Sequence, residues 1–183
     1  MNFNARMKLA SGLVAAILVV AILSSPAAVQ AQDVAVGQAT ATVLAVLTVT
    51  ASQDLAFGDV LQGVPTSITH DDDAASGIFR ISGEPDKQVD AYMQLPDYVA
   101  LADGSDRMVI SFSSTDAEYN DAAAAAPSGA GTETNPHNIP TLTLSAAAGD
   151  QAIFLGGTVF PTVDQTNGSY SADIVLTVAY NGS

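Results

Sequence analysis

The stretch Tyr170-Ser171-Ala172-Asp173-Ile174-Val175-Leu176-Thr177-Val178-Ala179-Tyr180 decides the fold class of this chain. Every second residue in it is apolar, from Tyr170 through Ala172, Ile174, Leu176 and Val178 to Tyr180. The residues between are mostly small or polar, and Val175 is the one large exception. A two-residue period of this length marks a strand with one face buried and one in water. Asn167-Gly168, just ahead of it, accepts the positive φ values of a tight turn and predicts a hairpin there. A strand ending almost at the C-terminus either lies inside a sandwich or borders a groove that another chain can fill.

Upstream, the same alternation recurs in short runs. Ala39 to Thr50 is rich in Val, Leu and Thr, and its apolar face changes parity near Leu44-Ala45-Val46, which predicts a bulge or a crossing between sheets. Further strands are predicted at Leu55 to Val60, Gly77 to Ser82 and Gln88 to Leu95, the last stopped by Pro96. Tyr98 to Leu101 and Arg107 to Phe112 flank a second hairpin signal, Asp103-Gly104. Pro140 to Leu144 and Ala152 to Phe160 complete the set. Many short strands with turn residues between them predict an all-β fold, an immunoglobulin-like β-sandwich of roughly 8–10 antiparallel strands. Residues 113–138 differ, with a five-alanine run and Pro127-Ser128-Gly129-Ala130-Gly131, and read as a flexible low-complexity loop.

The other end of the chain reads as an address. Arg6 and Lys8 precede an apolar run from Leu9 to Leu23, and Val29-Gln30-Ala31 offers small residues at a cleavage site. This is the pattern of a signal peptide covering residues 1–31, and the run is shorter than the ~20 residues a spanning helix needs. The mature chain would be residues 32–183, a single sandwich domain exported to the periplasm, cell surface or beyond, with no membrane insertion after cleavage. The formal net charge is −14, and all 19 acidic residues fall after the leader, where Arg80, Lys87 and Arg107 are the only Lys and Arg residues. Such a balance argues against nucleic acid and anionic lipid as partners. The chain has no cysteine, so core packing alone must hold the fold.

Catalytic signals are weak. Neither His70 nor His137 sits in a recognisable arrangement with a nucleophile, no Gly-x-Ser-x-Gly elbow occurs, and nothing predicts a cofactor. His70-Asp71-Asp72-Asp73 is the most suggestive cluster for a hard cation such as Ca²⁺. Neighbouring side chains on an extended chain point to opposite faces, however, and the ligand spacing of a calcium loop is missing. Asp71, Asp72 and Asp73 therefore read as a solvated turn, and so does the group Asp116, Glu118 and Asp121. The chain reads as a non-enzyme.

Ala39-Thr40-Ala41-Thr42-Val43, Leu47-Thr48-Val49-Thr50 and Leu55-Ala56-Phe57-Gly58 resemble the opening of a bacterial exported family, domain of unknown function 4402. Phe79-Arg80-Ile81-Ser82-Gly83-Glu84-Pro85 looks like its next block. Leu155-Gly156-Gly157-Thr158, Gly168-Ser169-Tyr170-Ser171 and Val178-Ala179-Tyr180 look like its close. That family is similar in layout to the spore-coat-U and archaic chaperone–usher pilins, whose last strand carries an aromatic near its end and a glycine twelve residues earlier, the separation of Gly168 and Tyr180 here. This chain departs from them in lacking cysteine and in Asn181-Gly182-Ser183, which adds two residues beyond the usual penultimate aromatic.

The resemblance implies a pilin-like subunit of a surface filament or coat, joined by strand donation. Its partners would be other subunits of its own kind, and a periplasmic chaperone before assembly. The donor would be Asp33-Val34-Ala35-Val36-Gly37, running on into Ala39 to Val43, with Val34 and Val36 as anchors. The acceptor would be the last strand, through Gly168, Tyr170, Ile174, Leu176, Val178 and Tyr180. Two alternatives stay open. The N-terminal segment can equally be the first strand of a self-complete sandwich, and the alternative to the structural role is a monomeric periplasmic or surface binding module for a glycan, metal or protein, with Tyr92, Tyr98 and Tyr119 as sugar-stacking candidates.

Overall fold

The computed structural model of the chain describes residues 37–120, 129 and 131–182. The expected leader and the donor anchors Val34 and Val36 lie outside the described residues. What is described is all-β, without a helix, and comprises thirteen strand segments. One sheet runs β1 (Thr48–Gln53), β3 (Gly77–Ser82), β10 (Asp150–Leu155), β7 (Ala117–Asn120) and β8 (Thr132–Thr134), in that spatial order. A second runs β12 (Tyr170–Ser171), β5 (Tyr98–Leu101), β6 (Arg107–Ser111), β11 (Gly157–Phe160) and β2 (Thr66–Ile68). A third holds β13 (Val175–Tyr180), β4 (Gln88–Gln94) and β9 (Leu142–Thr143). All pairings are antiparallel.

The second and third sheets are two halves of one bent layer. β4 passes into β5 and β12 into β13, with Ser171 opposite Ala100 and Val175 opposite Gln94. The break falls at Pro96, which has no N–H to give to a ladder and holds φ fixed. This layer faces the first sheet across a core in which Phe79, Ile81, Ile153 and Leu155 meet Val89, Met93, Met108 and Ile110. Each fully buried aliphatic or aromatic side chain stabilises such a core by about 1.5–3 kcal/mol. The result is the expected antiparallel β-sandwich. Tyr170 adds a feature of immunoglobulin-like folds: its hydroxyl lies 2.7 Å from the Thr166 carbonyl, four residues upstream, closing a tyrosine corner.

Individual elements depart from the sequence reading, each for a local reason. The strand expected over Ala39 to Thr50 begins only at Thr48, and residues 37–47 belong to no strand. Its ladder irregularity falls at Ala51/Gln53 rather than at Leu44 to Val46. Leu55 to Val60 forms no strand; Gly58 takes φ 65 there and bends the chain. Ala152 to Phe160 splits at Gly156 into β10 and β11, which serve different sheets, because the Gly156 backbone runs against residues 68–70 with no space for a Cβ. Tyr170 to Tyr180 splits opposite Pro96. No hairpin forms at Asn167-Gly168, since β12 pairs with β5 rather than with β11. Residues 113–138 are not all loop: β7 and β8 pair with each other inside that span, while 121–128 and 130 lie outside the described residues. The Asp103-Gly104 hairpin forms as expected, with Gly104 at φ 70 and the Asp103 carboxylate accepting the Ser105 N–H at 3.0 Å.

Candidate assembly site at the open edge

Among the described residues, β13 pairs only with β4, and β1 only with β3, so both are edge strands there. They lie near one another along one side of the sandwich. Neither carries a charged residue, a proline or an inward-pointing charge, the usual protections of a free edge. Their inward side chains are poorly covered. Val49 pairs with Ile81 and Ala51 with Phe79, both core residues, yet Val49 and Ala51 are exposed. On β13, Leu176, Val178 and Tyr180 stand opposite Met93, Ala91 and Val89 and are only half-buried. A closed sandwich would cover these positions.

One end of this side is shut and the other open. At the shut end, the Tyr180 hydroxyl donates to the Ala45 carbonyl at 2.9 Å and accepts the Glu84 N–H at 2.7 Å. Gly83 makes room for it: a Cβ there would stand 2.5 Å from Tyr180 Oη and 2.9 Å from Leu47 Cδ1. At the open end lies a groove of about 810 Å³. It reaches inner-face residues of both layers, among them Phe79, Met108, Ile110 and Val159, and its rims are residues 53–60 and 165–174. Ile174, where the chain enters β13, lines it. Gly168 sits on the same rim, and a Cβ there would fall 2.6 Å from Leu101 Cδ2.

The rim is held by a network that sequence reading missed. Asp106 Oδ2 accepts from Gln165 Nε2, the Thr166 N–H and the Tyr170 hydroxyl, each at 2.8 Å. Gln165 Nε2 also donates to the Tyr170 oxygen at 2.9 Å. The Thr166 N–H, and then the Tyr170 hydroxyl, hold the Asp106 carboxyl far below the usual carboxylate range. Burial, and then Asp106, push the Tyr170 hydroxyl up. Tyr170 thus packs against the core while lining the groove, and its hydroxyl anchors the rim. No signal in the sequence marks Asp106, whose partners lie about sixty positions further along.

Upstream of β1, residues 42–47 are free of any strand. Val43 is 93% exposed and Val46 82% exposed, whereas Leu47 turns in against the core. The alternating segment suggested as a donor is therefore partly in view, with its apolar side chains uncovered.

The other candidates are dispersed. Asp72 Oδ1 accepts the Ala74 and Ala75 N–H groups at 2.9 and 3.1 Å, closing a turn, and Asp71 is held below the usual range mainly by the Thr69 hydroxyl. Among the described residues, no group of three or more His, Asp or Glu side chains is arranged to hold a metal ion. His70 faces elsewhere: its Nδ1 is 3.3 Å from Glu118 Oε2 and its Nε2 3.5 Å from Glu133 Oε1, joining the segment after β2 to the β7–β8 pair. His137 Nε2 lies 3.2 Å from the Phe112 carbonyl, and the two rings meet edge to face. Tyr92 and Tyr98 are exposed, and Tyr119 is packed against the core. No helix among the described residues is long and apolar enough to cross a membrane. The chain matches no protein-family model and no curated protein.

Proposed function

We propose that this protein is an exported structural subunit, pilin-like in layout, which joins copies of itself by adding a strand along β13. One observation carries the reading: among the described residues, the inward side chains of β1 are exposed and those of β13 only half-buried, beside a groove that descends into the core. An uncharged, unpaired edge of this kind is a template for another strand. The occupant is the segment ahead of β1 in a second copy, with Val34, Val36 and the apolar positions up to Val43 entering the groove. Burial of four to six such side chains contributes roughly 6–12 kcal/mol before ordering costs, with ladder hydrogen bonds in addition. Before assembly the same edge calls for a cover, and a periplasmic chaperone is the partner of that chemistry. The role is one of shape and edges, at the cell surface or in a coat, and not of catalysis.

The test is the assembly state of the purified full chain. Unboiled samples are expected to give SDS-resistant ladders that disappear in the Val34→Asp/Val36→Asp variant and, independently, in Val178→Asp. A sharp monomer at every concentration in sedimentation velocity would sink the reading.

A further inference from the structure

The outward face of the β12-β5-β6-β11-β2 sheet sets exposed aromatic and aliphatic side chains beside a row of hydroxyls. On β6, Arg107, Val109 and Ser111 point outward, between the buried Met108 and Ile110. Val109 stands opposite Tyr98 on one side and Phe160 on the other, so the three form one row across adjacent strands. They are 50%, 43% and 41% exposed for Tyr98, Val109 and Phe160. The next row is Ser111, Thr158 and Ser67, hydroxyl beside hydroxyl, with Ser67 Oγ and Thr158 Oγ1 2.8 Å apart. Arg107 holds its guanidinium 5.5 Å from the centre of the Tyr98 ring. No strand residue pointing out of this face is acidic, in a chain whose formal net charge is −14.

We propose that this face is a platform for an extended, uncharged polysaccharide. Strands sit about 4.8 Å apart, which separates the Tyr98 and Phe160 positions by roughly 10 Å. That is the repeat of two successive rings in an extended β-linked glycan, so alternate sugars stack their C–H faces on the two aromatics while the ring between lies over Val109. The hydroxyl row and Arg107 supply donors and acceptors to sugar hydroxyls on either side of that line. An anionic glycan is repelled by the surrounding carboxylates. The row is also too small for a stable copy-to-copy contact: three half-exposed side chains fall far short of the ~800 Å² per partner that such an interface needs. This inference is independent of strand addition, which uses the edges of the sandwich and not this face.

Native gels cast with hydroxyethylcellulose, glucomannan or xylan test it on the full chain. At least one neutral polymer is expected to retard the wild type. Tyr98→Ala and Phe160→Ala each weaken the retardation about tenfold, Tyr98→Phe keeps it, and Tyr92→Ala, an exposed tyrosine on β4, leaves it intact. The Val34→Asp/Val36→Asp variant is retarded like the wild type, so failure of assembly and failure of glycan binding read separately. Unchanged migration with all three polymers overturns the proposal, as does equal loss in Tyr92→Ala. A dimer abolished by Phe160→Ala, without any retardation, assigns the face to a second copy and overturns it too.

Discussion

Asp106 is a surface-edge carboxylate that gathers donors from Gln165, Thr166, Tyr170 and its own neighbour Arg107. Only the ionised form accepts all of them. Its folded pKa lies below that of the unfolded chain, so its contribution is fully present above the ordinary carboxylate range and is lost as pH falls through the folded value. The melting temperature of the wild type should therefore fall as pH drops from 5 towards 2.5, and Asp106→Asn should start several degrees lower and fall less steeply. Parallel curves for the two proteins would refute this. None of it was legible in the sequence, because Asp106 looks like any turn residue next to Asp103-Gly104. Tyr170 was legible as an alternating apolar residue, but its hydroxyl chemistry depends on a corner that only the folded chain creates.

At the scale of elements, strict two-residue alternation bounded by turn residues was enough to place β3, β4, β5 and β6 almost to the residue. It failed where chain direction changes without a change in composition. Gly156 interrupts an apolar run that reads as one strand, and the break at Ala172 to Ile174 answers Pro96 on another strand. β7 and β8 were hidden in a segment whose small residues carry no period. Their pairing buries Glu118, 1% exposed, with its Oε1 accepting the Gly131 N–H at 2.9 Å and its Oε2 beside His70. Glu118→Ala would leave that N–H without its partner and open a cavity, so it should lower unfolding stability by about 1–3 kcal/mol. The accompanying rise in amide exchange should be confined first to β7 and β8. A variant as stable as the wild type would show that the buried carboxylate contributes nothing to the hairpin.

For the whole molecule, the class of fold was readable from composition and period, while the open side was not. Residues 174–180 look alike in a closed sandwich and at an edge; what differs is whether Leu176, Val178 and Val49 find cover, and that is a property of distant chain. Charge acts at this scale as well. A formal net charge of −14 against few bases repels itself within one copy and between copies. Raising sodium chloride from about 0.01 to 0.15 M shortens the screening length from ~30 to ~8 Å, and should raise the melting temperature measurably. A flat or falling response would contradict the repulsion argument. The Tyr180 hydroxyl, bonded to both Ala45 and Glu84, has a further consequence. Among the described residues it stoppers the slot at one mouth, so under the proposed strand addition a guest would thread in from the other, at Gln53 and Ile174. A fibre built by the proposed strand addition would therefore have a front and a back, and its two tips would recruit the next copy by different chemistry.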